Sequence, residues 1–157
     1  MKTDYILKEM KTFSPCKEGF EKAYKDTSIK NLCELFFTNS DWALKQNFPS
    51  KEVLEKYRGY YENYGVYYRQ SAINKAVNLA IFDSESEIEF TGFDVSEIFI
   101  RGKSNVKIKA SGYSKIFVTV LDESKVNIER IGNAEVFVYQ YGGAVNGDCV
   151  VKQKRWD

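Results

Sequence analysis

The densest set of side chains that could bind a partner is a run of tyrosines near the middle of the chain. The segment reads KYRGYYENYGVYYRQ, and it holds six of the eleven tyrosines. Tyrosine and arginine dominate the hot spots of protein interfaces, and tyrosine rings can also stack on unpaired bases. The candidate partner-binding residues are Tyr60, Tyr61, Tyr64, Tyr67, Tyr68, Arg58 and Arg69. A structural alternative is that these rings cover the edge of a sheet where a helix joins a strand.

The sequence lacks the residues that most enzymes use. It has no histidine, which removes histidine acid–base catalysis, Ser-His and Cys-His nucleophiles, and most zinc sites. It has neither a Walker A motif nor a GxGxxG motif. Glu87 and Glu89 have the chemistry of a glycosidase pair, but a solvated ladder facing lysines is favoured. We therefore predict a protein that is not an enzyme, with no catalytic residue, no cofactor and no metal.

Charge and cysteine usage give expectations about partners and compartment. The formal net charge is +1, and residues 1–75 carry 13 Lys/Arg and 10 Asp/Glu against 10 and 12 in residues 76–157. This balance weighs against nucleic acid and against a membrane surface as partners. The three cysteines, Cys16, Cys33 and Cys149, show no CxxC spacing. We expect reduced, semi-buried thiols in an intracellular, cytoplasmic protein.

The C-terminal half has a ten-residue rhythm between residues 84 and 144. Segments such as SEIFI, SNVKI, SKIFV and AEVFV alternate apolar and polar side chains, which is typical of half-buried strands. One position of the repeat, at the corner between strands, is glycine except for one aspartate; its occupants are Gly92, Gly102, Gly112, Asp122, Gly132 and Gly142. Six short strands with tight corners follow from this pattern.

The rhythm favours a β-solenoid with about 20 residues in each coil over an antiparallel meander or sandwich, which is the alternative. In a meander with two-residue turns, a ten-residue period would point the apolar residues of neighbouring strands to opposite sides. Coils over 84–103, 104–123 and 124–143 instead stack Glu87 on Lys107 and Glu89 on Lys109, so that opposite charges are neighbours. The second outer face would be aromatic, with Phe117 and Phe137, and we expect the N-terminal helices to cover it.

The N-terminal half reads as helices. Expected starts are Ser14-Pro15, residues 27–28, Asn39-Ser40 and Ser50, and the last helix is expected to run through Gly59 to Tyr64. Strands are expected at 66–69, 76–82 and 149–154. The fold class is therefore α+β, with a helical segment at 1–65 and a solenoid domain at 66–157. We expect the two to pack as one unit, because no linker separates them.

The segment NSDWALKQNFPSKEVLEKYRGYYENYGVYY, followed by SGYSKIFVTV and YQYGGA, resembles uncharacterised small proteins of bacteriophages, prophages and mobile elements of gut anaerobes. The resemblance covers about residues 30–145. It implies a helical half followed by Gly-x-Ser β repeats, and a phage or mobile-element setting, in which the protein would lie in the cytoplasm of a host cell or in a virion. It implies no activity and no catalytic residue.

These observations lead to a hypothesis of a non-enzymatic structural or protein-interaction protein, encoded by a phage or mobile element. Its partner would be another protein or further copies of itself, through the tyrosines or the final strand. Two alternatives stay open. One is a counter-defence protein that sequesters a host protein or a small ligand, and the other is a nucleic-acid or glycan binder that uses the tyrosines.

Overall fold

The structure, a computed structural model, describes residues 2–72 and 76–156. They form two compact units, Met1–Tyr64 and Gly65–Asp157, and the division lies one residue before the predicted boundary. The first unit is helical. Its helices are α1 (Asp4–Thr12), α2 (Lys17–Lys25), α3 (Ile29–Thr38), α4 (Ser40–Lys45) and α5 (Lys51–Lys56), followed by a 3-10 turn at Glu62–Tyr64.

Side-chain caps define the helix starts. The hydroxyl of Ser28 accepts a hydrogen bond from Asn31 N at 3.2 Å, and Ser50 does the same for Val53 N. Both starts agree with the sequence expectation, because serine at this position satisfies an amide that the helix leaves without a partner.

Two helix expectations were wrong. The second helix begins after Cys16, whose sulfur caps Gly19 N at 3.3 Å, and not at Ser14. Ser14 has a left-handed φ of 49°, whereas an N-cap residue needs extended backbone. The last helix ends at Lys56 and does not reach Tyr64, because Gly59 adopts a φ of 91° that no α-helix accommodates.

The second unit is a parallel β-solenoid, as predicted. Its strands are β1 (Val66–Tyr68), β2 (Asn78–Phe82), β3 (Glu85–Phe90), β4 (Val95–Arg101), β5 (Asn105–Ala110), β6 (Lys115–Val120), β7 (Lys125–Arg130), β8 (Glu135–Gln140), β9 (Ala144–Gly147) and β10 (Val150–Gln153). One sheet has the order β1-β2-β4-β6-β8-β10 and the other β3-β5-β7-β9. Every pairing is parallel, which excludes the meander.

Residues twenty apart stack directly on one another through the central coils. Ile108 pairs with Ile128, and Val118 pairs with Val138. These inward side chains are almost completely buried between the two sheets. The alternation seen in the sequence is therefore the alternation between core and outer face.

The corners explain the Gly-x-Ser repeat. A Cβ atom on Gly112, which has a φ of 65°, would lie 2.8 Å from the backbone nitrogen of Gly92 in the coil before it. The corner serines are buried, and Ser104 and Ser114 each donate to a carbonyl three residues earlier, at 2.8 Å. Glycine thus permits close stacking at residue 112, and serine satisfies a carbonyl group at these two bends.

The last coil departs from the period. Phe137 on β8 pairs with Val150 on β10, thirteen residues later instead of twenty. The sequence expectation of a final strand near 149–154 was correct, but β9 between Ala144 and Gly147 was missed because the rhythm slips after Gly143.

Candidate interaction surfaces

The structure divides the predicted tyrosine set. Tyr60 is 54% exposed and Tyr64 is also exposed, whereas Tyr61 is buried. The Tyr61 hydroxyl donates a 2.6 Å hydrogen bond to the carbonyl oxygen of Leu54, near the end of α5. Arg58 forms an ion pair within its own segment at 3.5 Å. In the helical unit, therefore, Tyr60 and Tyr64 are the rings of this set that offer surface.

The remaining members of the set belong to the solenoid unit. Tyr67 and Tyr68 lie on β1 and are buried, and Tyr67 belongs to the solenoid core. Arg69 follows them with an exposed side chain and a left-handed φ of 51°, and its amide donates to Phe82 O at 3.1 Å. Tyr67 and Tyr68 therefore present little ring surface to a partner.

The C-terminal end of the solenoid exposes its own core. Val151 continues the inward ladder of Val118 and Val138. Val118 and Val138 are fully buried, but Val151 is 41% exposed. All four residues of β10 are exposed, and within the described residues no further strand pairs with its outer edge. We call this surface, formed by β9 and β10, the open end.

The polar side of β10 is ordered by contacts to the preceding coil. Gln153 Nε2 donates to Gln140 Oε1 at 2.8 Å, and the Lys154 amide donates to Gln140 O at 2.8 Å. Trp156 stacks on Tyr141 with 4.1 Å between ring centroids. The strand is thus held in place on one edge while its other edge faces solvent.

The direction of the backbone groups on β10 follows from its pairing. Because the Lys154 amide bonds to β8, the backbone groups of residues 150, 152 and 154 point toward β8. Those of Val151 and Gln153 therefore point away from it. The open end therefore presents an unpaired N–H and C=O group on each of these two residues, and the side chain of Val151 is also uncovered.

A second exposed apolar patch runs along one corner of the solenoid. Phe93, 82% exposed, stacks on Tyr113 at 5.4 Å between centroids and 10° between ring planes. Ile131 is exposed at the next corner. The sequence signal for this patch is the spacing of residues 93 and 113, which are one coil apart.

The charged face matches the predicted ladder. Lys109 bonds Glu87 at 2.8 Å and Lys107 bonds Glu129 at 3.0 Å, so each lysine reaches diagonally to a neighbouring strand. The hydrogen bond and charge of Lys109 hold the pKa of Glu87 below its usual value. A general acid in glycoside hydrolysis needs a raised pKa, so this shift favours the ladder role.

The three cysteines occupy different environments. Burial, with Glu62 and Glu34 nearby, raises the pKa of the Cys33 thiol to about 12. Burial also raises the pKa of Cys149, whereas Cys16 is exposed and caps α2. Cys33 and Cys149 are thus kept as neutral thiols, which are poor nucleophiles and poor metal ligands.

Within residues 2–72 and 76–156, no cluster of three or more Cys, Asp or Glu side chains has the arrangement of a metal site. In the same ranges no helix combines the length and apolar character needed to cross a bilayer. No protein-family model matches the chain, and comparisons with curated proteins and with solved structures gave no match either.

Proposed function

We propose that the protein is a non-enzymatic assembly protein that joins a second copy of itself through the open end of its solenoid. The observation that supports this is Val151, a residue of the core ladder that is 41% exposed where its ladder neighbours are fully buried. An uncovered core valine beside free backbone groups favours the addition of another strand.

A second copy fits the open end by symmetry. In an antiparallel pair of β10 strands centred on Val151, the two Val151 residues exchange both of their backbone hydrogen bonds, because these groups already point outward. The two Val151 side chains then lie on the same face and extend the core. In this register Lys152 lies opposite Val150 of the copy, so no like charges face each other across the pair.

The test is the size of the protein in solution. Sedimentation velocity and light scattering should give a concentration-dependent dimer for the wild type. Val151→Pro should give a monomer, because proline removes an outward N–H without removing a bond to β8. Val151→Lys should also dissociate the dimer, whereas Val95→Lys at an exposed solenoid position should leave it intact. A wild-type protein that stays monomeric at every concentration would refute the proposal.

The biological setting is a further part of the proposal. The resemblance to phage and mobile-element proteins supports a role in a virion or in the cytoplasm of an infected cell. The genes on either side distinguish the possibilities. Virion genes would support a structural role, and early genes or defence-related genes would support counter-defence.

A further inference from the structure

Three positive charges lie close together at the C-terminal end of the solenoid. They belong to Lys152 on β10 and to Lys154 and Arg155 directly after it, and all three residues are exposed. Within residues 2–72 and 76–156, no ion pair joins any of the three to an acidic side chain. The cluster therefore keeps a local positive field that attracts anions.

The acidic residues closest to the cluster in the sheet and along the chain are bound to other cations. Asp148, just before β10, lies 2.9 Å from Nη2 of Arg130. Glu135 on β8 lies 3.8 Å from Nζ of Lys115. The balanced net charge of the whole chain, which weighs against nucleic acid as a partner, therefore does not describe this end of the solenoid.

Aromatic rings lie among these cations. Lys152 pairs in register with Tyr139, and because Val151 faces the core, the Lys152 side chain lies on the outer face beside this half-buried tyrosine. Trp156 stacks on Tyr141 with 19° between the ring planes, and Trp156 is still 36% exposed. We call this surface the basic-aromatic patch; its members are Tyr139, Tyr141, Lys152, Lys154, Arg155 and Trp156.

We propose that the basic-aromatic patch binds single-stranded nucleic acid, with the three cations on phosphates and Trp156 stacked on an unpaired base. Side chains two residues apart in a strand are separated by about 6.6 Å, so Lys152 and Lys154 can contact successive phosphates of an extended strand. The rings favour nucleic acid over an acidic peptide, because Asp and Glu side chains offer no flat ring for stacking.

This binding site is separate from the proposed self-assembly. The patch uses side chains on the outer face of the sheet, whereas self-assembly uses the outward backbone groups of β10 and the inward side chain of Val151. One interaction can therefore fail without the other.

The experiment compares two labelled oligomers with equal numbers of phosphates. One is an oligothymidylate of about eight nucleotides, and the other is an abasic oligomer of the same length. Each is titrated with the full chain and followed by fluorescence anisotropy. The wild type should bind the thymidylate about tenfold more tightly, because stacking on one aromatic ring contributes at least that much.

Salt dependence counts the phosphate contacts. With three contacts to a single strand, log K falls by about 2 for each tenfold rise in salt. Raising the salt from about 50 to about 200 mM should therefore weaken wild-type binding about twentyfold. In the double variant Lys152→Gln/Lys154→Gln one contact remains, so the same rise in salt should weaken binding only about threefold.

Two further variants separate charge from stacking. Lys103→Gln/Lys125→Gln removes two exposed charges outside the patch and has the same net charge as the first double variant, so it should keep the wild-type salt dependence. Trp156→Ala should also keep that dependence, but its preference for the thymidylate should fall below about threefold.

Three results would overturn the proposal. Basic side chains that only protect a strand edge from aggregation would give no saturable binding of either oligomer. Equal binding of the two oligomers by the wild type would show attraction to any polyanion without base stacking. Equal changes in the two double variants would show that the patch is not the binding site.

Discussion

Arg101 Nε lies 3.1 Å from Oδ2 of Asp122, which belongs to the corner of the next coil. The arginine side chain is only 8% exposed, and the aspartate is partly exposed. The same Asp122 oxygen accepts the Gly102 amide at 2.9 Å, and Asp122 itself has a left-handed φ of 59°. Among the corners between residues 92 and 142, the one without glycine therefore carries an aspartate that neutralises a buried cation and links two coils.

Asp122→Gly should destabilise the protein although glycine suits the backbone there. The change relieves the left-handed strain but removes the Asp122 carboxylate from the buried Arg101. We expect a loss of about 1–3 kcal/mol in the free energy of unfolding, below the value for a fully buried pair because Asp122 is partly solvated. Denaturant titration measures it.

Two controls sharpen this prediction. Asp122→Asn keeps an acceptor for the Gly102 amide and tolerates the left-handed backbone, so it should lose less. Glu123→Gln, in an exposed pair with Lys103 at 3.9 Å, should change stability by less than about 0.5 kcal/mol. An Asp122→Gly variant as stable as the wild type would show that Arg101 needs no counter-charge.

The Glu87–Lys109 pair predicts a pH dependence of folding. The pKa of Glu87 is lowered by the hydrogen bond and charge of Lys109, and that of Lys109 is raised by Glu87. A lowered carboxyl pKa means that the pair's contribution is complete above the ordinary glutamate pKa. It is lost as the pH falls through the lowered folded value. At the alkaline end the contribution is lost as the pH rises through the raised pKa of Lys109.

Carboxyl ¹³C titration by NMR checks this pair directly. Glu87 should titrate below the ordinary glutamate value in the wild type and return to it in Lys109→Ala. Salt should weaken the difference, since both groups are exposed. An unchanged Glu87 pKa in Lys109→Ala would mean that the ion pair does not form in solution.

The aromatic outer face should contribute moderately to stability. Phe117 and Phe137 stack at 5.6 Å between centroids, and both are half-buried. Phe117→Ala should therefore cost about 1–3 kcal/mol, less than the 3–5 kcal/mol that follows from the expectation of a fully covered ring. Phe93→Ala, at an exposed ring, should cost less than about 0.5 kcal/mol. Equal losses in thermal or denaturant unfolding would mean that Phe117 is no better packed than Phe93.

The solenoid was predictable because its rules are local and repeated. In a simple meander, the ten-residue period would place the apolar residues of neighbouring strands on opposite faces of the sheet, which excludes that fold. The pairing of Glu87 with Lys107 then favours parallel stacking. The caps at Ser28 and Ser50 were equally readable. These features depend on residue type at a fixed spacing, which is what a sequence displays.

The candidate sites were less predictable, because they depend on single backbone turns and on the way the solenoid ends. The positive φ of Gly59 prevents the predicted helix from continuing to Tyr64. The helical spacing of the tyrosines therefore did not predict which of them share a face. Val151 is exposed because β10 is the last described strand of its sheet. Its position opposite Val138 depends on a thirteen-residue offset that no sequence motif indicates.

The stacking of Gly112 on Gly92 has a consequence for how such a chain could change in length. Each central coil pairs in the same parallel register with the coils before and after it, so that equivalent positions stack. A duplicated copy of residues 104–123 would keep this register and its apolar core positions, so the solenoid could elongate by one coil, although Lys107 and Lys109 would then lie beside their own copies. The offset between β8 and β10 breaks this equivalence. A coil added beyond β8 would therefore not meet the twenty-residue register that the central coils share.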